Sequence, residues 1–365
     1  GKTTTKELLR VMWQTYGPTH ATRGNYNNHI GVPLTLANAP AEVDTLVVEM
    51  GANQPGDIGQ LIRLAPGGVR IVTSIGHAHI AGFGGLEGVR RTKREIFNGS
   101  TEHTLAIVPA TERDHLLDRS FPGRVVTFGP RDGPDADVTF SLATPETPGE
   151  GVRVVVHLPG TAWSITSPLH GAHNASNLAA ACATQSFTDG VHADGELVTA
   201  ALGHLDLPDG RWRVVEVGQA IVVDDAYNAN PSSVMASLDG FDQWQKATAH
   251  PGKRVVVLGE MLELGERAKY WHEEISRCMS RLRDLDVFIA VGPFATAMVE
   301  AARDELGPTG VEVQVHGVDT PAGAADVIVG LGPCVVFLKG SRGAKLERII
   351  DAVQDGLDET SRAQD

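Results

Sequence analysis

Short apolar runs recur along this chain, and most break abruptly into polar or glycine-rich residues. Ala220-Ile221-Val222-Val223 runs into Asp224-Asp225-Ala226-Tyr227-Asn228-Ala229-Asn230-Pro231. Leu46-Val47-Val48 leads to Glu49-Met50-Gly51-Ala52-Asn53, and Ile71-Val72-Thr73-Ser74-Ile75 to Gly76-His77-Ala78-His79. A buried strand that ends in carboxylates and carboxamides is building a site, because ligands of open α/β sheets collect at the carboxyl ends of strands. Helical spacing separates these runs. Leu8, Leu9, Met12 and Tyr16 share one face of a predicted helix over 3–16. Leu86, Val89, Lys93, Ile96 and Phe97 form one stripe on a second, over 86–97.

Strands that alternate with helices predict a parallel sheet with crossover connections. Residues from about 105 to 170 read differently, with short alternating segments such as Val152-Arg153-Val154-Val155-Val156-His157. They predict an antiparallel side sheet. A small-residue helix follows, from about His173 to Thr184. Pro208-Asp209-Gly210-Arg211 is a turn-like break. Beyond it, strands at Ile221–Val223, Val255–Leu258, Val287–Val291 and Val335–Leu338 predict a smaller doubly wound unit, and the charged tail from Asp355 is expected to fray. The expected class is α/β: a parallel sheet with a small antiparallel side sheet over 1–208, then a smaller Rossmann-like domain over 209–365.

The length of 365 residues allows two cores, and 42% hydrophobic with 21% charged residues is ordinary for a globular protein. A net charge of −14 argues against a nucleic-acid partner. It leaves room for anionic substrates, which local cations and helix N-termini can hold. Cys182, Cys278 and Cys334 are far apart, offer no zinc spacing and fit reduced thiols. With no long apolar stretch and no signal peptide, a cytoplasmic location without membrane insertion is expected.

The chain opens on Gly1-Lys2-Thr3-Thr4, the tail of a phosphate loop of the form G-x-x-x-x-G-K-[ST]. The upstream half is missing, so the sequence reads as a fragment lacking its N-terminal part. In such a loop, backbone N–H groups and Lys2 hold phosphates, and a Thr hydroxyl meets Mg²⁺. A Thr-rich helix start is the plain alternative. Glu49, at a strand end, offers hard oxygen to Mg²⁺, or is simply a solvated loop acid. His77 and His79 point the same way in an extended segment. One reads as a ligand of a second Mg²⁺ and the other as structural; both may instead be hydrogen-bonded loop histidines. Lys93, inside an apolar stripe and surrounded by Arg90, Arg91 and Arg94, must snorkel, pair or lose its charge. A neutral lysine amine can take up CO₂ as a carbamate, an anionic metal ligand. Asn174 and Asn177 share a helix face and could read an adenine edge, with capping by Asn174 as the alternative. Arg211 could reach a phosphate.

GKTT, GNYNNHIGVPLTL, VVEMGANQPGDI, TSIGHAHIAGFGGLEGVRRTKREIF, LHGAHNASNLAAA, GRW, DDAYNANPSS, VVVLGEMLELGE and LKGSRG occur in an order that resembles the Mur ligase family. The resemblance spans essentially the whole chain. Within the family it is to the branch that joins D-alanyl-D-alanine to UDP-N-acetylmuramoyl-tripeptide. It implies the central P-loop ATPase domain and the C-terminal Rossmann-like domain of a three-domain enzyme; a monomer is expected. The implied reaction is ATP-dependent amide bond formation through an acyl phosphate, in peptidoglycan precursor synthesis. Gly1, Lys2, Thr3 and Thr4 would hold phosphates, with Thr3 and Glu49 on one Mg²⁺. His79 and a carbamylated Lys93 would hold a second. Asn174 and Asn177 would hold adenine, Arg211 the phosphates and Asp225 the ribose, with Asn228 beside the nucleotide. The implied catalytic set is Lys2, His79, Lys93 and Asn228. Asn27 and Asn28 would line the substrate path, and Lys339, Ser341 and Arg342 the incoming dipeptide. His29, Trp212 and Glu260 depart from the family pattern, and His29 and Trp212 put substrate preference in question. Two rivals are a folylpolyglutamate- or cyanophycin-type ligase and a silent nucleotide-binding partner subunit.

Overall fold

A computed structural model of the chain describes residues 1–76, 83–143, 151–282, 284–309 and 312–362. It divides into two compact units, Gly1–Leu207 and Pro208–Asp365.

The first unit opens on α1 (Lys2–Trp13), which buries Leu8, Leu9, Val11 and Met12. The helix stops short of the predicted Tyr16, where Gly17-Pro18 cannot continue it. Strand β1 (Thr19–Ala21) pairs in parallel with β2 (Thr45–Val47), and α2 (Gly31–Ala37) connects them. After α3 (Asp57–Leu64) comes a six-stranded sheet in the order β3 (Val69–Ile71), β4 (Leu105–Pro109), β5 (Arg124–Pro130), β6 (Val138–Ala143), β7 (Val152–Leu158), β8 (Thr161–Ser167). Helix α4 (Leu86–Arg94) lies between β3 and β4 in the chain, with a 3₁₀ turn over Glu95–Phe97.

The antiparallel part of this sheet begins later than the sequence suggests. β3 to β6 run parallel, and only the β6–β7 and β7–β8 pairs are antiparallel. The burial explains the difference. Leu105 to Val108 are all buried, as a parallel strand covered on both faces requires, whereas β7 alternates buried and partly exposed positions. Helix α5 (Ala172–Phe187) packs on the sheet with a run of small residues, Ala179 to Ala183, fully buried. Gln185 Nε2 donates to the Met12 carbonyl at 3.0 Å, tying α5 to α1. Helix α6 (Gly195–Leu202) closes the unit.

The second unit is a sheet in the order β13 (Gln314–Val318), β12 (Val287–Val291), β11 (Lys253–Leu258), β14 (Cys334–Lys339), β10 (Ala220–Asp224), β9 (Arg213–Val217). Edge strand β9 is antiparallel and the other pairings are parallel. Helices α7 (Pro231–Thr248), α8 (Ala268–Arg277), α9 (Ala295–Leu306), α10 (Pro321–Val329) and α11 (Arg348–Arg362) are distributed over two apolar layers. One layer centres on Phe241, Phe288 and Phe337, the other on Val222, Val257 and Ile349. Because β14 returns between β10 and β11, the carboxyl ends of these three strands stand side by side.

Two expectations change here. The tail past Asp355 continues the helix to Arg362, with Leu357 packed against the layer that buries Ile349 and Val353. Trp212 is a core residue: it is buried, 6.0 Å from the Phe337 ring, and adopts φ 57° to get there. Its departure from the family pattern is a packing matter.

Candidate active site

In the first unit, α1 begins at Lys2 with no side-chain cap and no acidic residue in its first turn, so the positive end of its dipole favours an anion. Lys2 is exposed, while Thr3, Thr4 and Thr5 are buried behind it. Thr3 Oγ1 donates to Glu49 Oε2 at 2.7 Å, and Asn27 Nδ2 donates to Glu49 Oε1 at 2.7 Å. Glu49 is 5% exposed, so its carboxylate is buried between two neutral donors and no ion pair reaches it among the described residues. A buried anion without a counter-charge is costly. Hard oxygens in a negative pocket beside a Thr hydroxyl suit a divalent cation, so these residues fit Mg²⁺.

Lys93 carries the clearest electrostatic signature. Burial, and after it the charge of Lys2, lower its pKa to about 8. The sequence points to the surrounding arginines as a cause, but two of them are occupied elsewhere. Arg90 Nε donates to Glu112 Oε2 at 2.8 Å and Arg94 Nη2 to Asp118 Oδ2 at 2.8 Å. Lys2 is the cation that acts on it, so the helix lysine and the phosphate-loop lysine face a common region. His77 and His79 lie outside the described residues.

Asn174 and Asn177 are both buried on α5, and Asn177 Nδ2 donates to Asn174 Oδ1 at 3.4 Å. Asn174 Nδ2 donates to the His170 carbonyl at 2.9 Å, and the N-cap position belongs to Gly171. A Cβ on Gly1 would run into Asn177 Oδ1, so the carboxamide pair abuts the N-terminus of α1. Asn28 is exposed, and its Oδ1 accepts from Ile30 N at 3.0 Å and Gly31 N at 2.9 Å, which starts α2. His29 is exposed.

In the second unit, the Asp-Asp-Ala-Tyr-Asn-Ala-Asn segment divides its labour. Asp224 is buried, and its Oδ1 accepts from Ala226 N at 3.0 Å; burial pushes its carboxyl above the usual range. Asn230 caps α7 in a capping box with Ser233, followed by Pro231 at the first helical turn. Asp225 and the exposed Asn228 are left for chemistry. Lys339 and Ser341 are buried behind them, and exposed Arg342 pairs with Glu347 at 3.5 Å. The Arg211 guanidinium lies 4.0 Å over the Tyr227 ring, and Tyr227 N donates to Gly210 O at 2.9 Å.

Several residues that organise these sites escape a reading of the sequence. Lys6 is 3% exposed; its Nζ donates to the carbonyls of Thr22 at 2.7 Å and Gly24 at 3.2 Å and pairs with Glu7. Thr22 Oγ1 in turn accepts from Glu49 N at 3.0 Å. Glu95 accepts from Gly56 N and Gly59 N at the start of α3. Their partners are distant in the chain, and the one available signal was a lysine on the inner side of α1.

Comparison with known proteins places this geometry in context. The Mur ligase middle domain matches residues 1–185, and the Mur ligase glutamate ligase domain matches 210–342. The UDP-N-acetylmuramoyl-tripeptide–D-alanyl-D-alanine ligase of Escherichia coli K12 is 31% identical over 97% of this chain and 75% of its own length. The Bacillus subtilis enzyme of the same name is 30% identical over 98% and 75%. Among solved structures, MurF from Acinetobacter baumannii superposes with a TM-score of 0.82 at 29% identity, covering 97% of this chain and 74% of that one. MurF from Thermotoga maritima in complex with ADP gives 0.80 at 27%, covering 99% and 78%. A folylpolyglutamate synthase at 18% identity shares the fold, with a TM-score of 0.66. With both domain models matched and a relative 31% identical over 97% of this chain, the chain belongs to the Mur ligase family.

Proposed function

We propose that this chain carries out ATP-dependent joining of D-alanyl-D-alanine to UDP-N-acetylmuramoyl-tripeptide in the cytoplasm, as a step of peptidoglycan precursor synthesis. The observation that carries the reading is the α1 N-terminus with exposed Lys2, set beside a Thr3–Glu49–Asn27 cluster, in a chain 31% identical to a ligase of that name. The peptide carboxylate accepts the γ-phosphoryl group of ATP, the dipeptide amine attacks the acyl phosphate, and inorganic phosphate leaves.

Bringing a carboxylate to a triphosphate sets anion against anion, so the main demand on the protein is positive charge and positioning. Lys2 and the first amides of α1 would supply both to the phosphates. Thr3 and Glu49 would hold one Mg²⁺, which when bound neutralises phosphate charge. Carbamylated Lys93, with His79, would hold a second. Asn174 and Asn177 would contact adenine, Arg211 the phosphates, and Asp225 and Asn228 the rest of the nucleotide. Asn27 would serve two ends, steadying Glu49 while bordering the substrate path with Asn28.

The test is to supply ATP, Mg²⁺, UDP-N-acetylmuramoyl-tripeptide and D-alanyl-D-alanine to the protein and to follow ADP and the amide product by mass spectrometry. Product with stoichiometric ADP is expected; ADP without product would redirect the reading to another amine or carboxylate. Glu49→Gln keeps the shape and removes the charge. It should raise the Mg²⁺ concentration for half-maximal rate and lower kcat by roughly 10²-fold, the scale of one lost electrostatic contact in an active site. An unchanged Mg²⁺ dependence would remove Glu49 from the metal site.

A further inference from the structure

Lys339 closes β14, and the family resemblance sets it beside the incoming dipeptide. Its surroundings point elsewhere. The side chain is 4% exposed and its Nζ has three acceptors: Asp225 Oδ2 at 2.6 Å, the Asp225 carbonyl at 3.2 Å and the Asn228 carbonyl at 3.2 Å. An ammonium has three hydrogens to donate, so the four-residue turn from Asp225 to Asn228 takes them all. Nothing is left for a substrate.

The same turn is held from two other directions. Ser237 Oγ, on α7, donates to Asp225 Oδ2 at 2.7 Å, so one carboxylate oxygen carries two donors. Ser341 Oγ donates to the Ala229 carbonyl at 3.3 Å and accepts from Leu262 N at 2.9 Å, while Ser341 N donates to the Glu260 carbonyl at 2.8 Å. The loops after β10, β11 and β14 are thereby joined into one knot at the carboxyl edge of the sheet. Behind it, Met261 N donates to Nε2 of the fully buried His272, which holds the β11 loop from α8. Among the described residues, Asp225 Oδ1 and Asn228 Nδ2 make no hydrogen bond within the knot and remain to be presented outward.

We propose that Lys339 is a positioning residue: it fixes the Asp225–Asn228 turn that receives the nucleotide, with Ser237 and Ser341 as its auxiliaries, and it does not touch the amine substrate. This rests on the nucleotide role proposed above for Asp225. A lysine in contact with the dipeptide carboxylate and a lysine that shapes the nucleotide turn make opposite kinetic predictions.

The experiment uses Lys339→Met and Ser237→Ala in the whole protein, with calorimetric titration of ADP and separate KM measurements for ATP and D-alanyl-D-alanine. Lys339→Met removes a charge-assisted bond and leaves a carboxylate unpaired; roughly tenfold or greater weakening of ADP binding is expected, with a matching rise in the KM for ATP. The KM for the dipeptide should stay within about twofold, since no contact to it is lost. Ser237→Ala should weaken ADP binding in the same direction by a smaller factor. It also supplies the reading if Lys339→Met fails to fold. A raised dipeptide KM with wild-type ADP affinity would overturn the proposal, as would unaltered ADP binding in both variants. Wild-type protein that binds ADP but ligates a different amine would revise the substrate and leave this inference standing; wild-type protein that binds no ADP would end both.

Discussion

Lys2→Ala is expected to abolish ligation while leaving the fold intact. Lys2 is exposed at the first position of α1 and makes no hydrogen bond or ion pair among the described residues. The folded chain therefore loses little with its side chain, and exposed substitutions of this kind fall within about 0.5 kcal/mol. The reaction loses much more. Charge develops where the phosphoryl group is transferred, and an ammonium placed there in advance is worth on the order of 10³-fold or more in rate. The check is kcat by coupled ADP release, beside a thermal melt of both proteins. A melting temperature close to wild type with no detectable turnover is the expected pair of results. Turnover above about a tenth of wild type would sink the phosphate role of Lys2.

Lys93→Ala should also lose activity, but in a way that small molecules can reverse. Burial and the Lys2 charge bring the Lys93 pKa down to about 8, so at neutral pH about a tenth of the amine is free base, against far less than a hundredth for an ordinary lysine. Only the free base attacks CO₂. Carbamylation is therefore favoured as pH rises towards about 8 and is lost as pH falls below it. The stability consequence has its own sign. With the folded pKa below the unfolded one, the folding penalty of the charged amine is present below pH 8 and is relieved as pH climbs through 8 towards the unfolded value. Short carboxylates such as acetate or formate should partly restore the Lys93→Ala enzyme by standing in for the carbamate oxygens. A carbon-13 resonance from labelled bicarbonate, present in the wild type and absent from the variant, reads the modification itself. No rescue and no resonance would leave Lys93 as a plain, partly buried cation near Lys2.

The lowered Lys93 pKa also illustrates how far a stripe can be read. The apolar spacing of Leu86, Val89 and Phe97 made Lys93 conspicuous, and Val89 and Phe97 are indeed buried. Burial is the leading cause, as the stripe suggests, and only the second cause differs from the arginines expected. Arg90 and Arg94 spend their charge on Glu112 and Asp118, and the cation that counts is Lys2, at the start of the unit's sequence. The Asp224–Asn230 segment tells a similar story. Its position after a buried strand marks it as a site, yet neighbouring residues of one chemical type have different tasks: Asp224 and Asn230 hold the backbone, Asp225 is half-buried with one carboxylate oxygen taken by Lys339 and Ser237, and Asn228 is exposed.

The sequence by itself determined the α/β class, most of the strand ends where polar side chains gather, the phosphate-loop helix and the family. These depend on local periodicity and on short motifs, whose physics is confined to a few neighbouring residues. Only the tertiary structure decided which partners those side chains keep. It turned β4 and β5 into parallel strands, put Trp212 into the core, seated Lys6 beneath the Thr22 turn and closed Lys339 onto a loop 114 residues away. Hydrogen bonds and charge pairs act over a few ångströms, and chain separation carries no information about which distant segments the packed sheets bring that close.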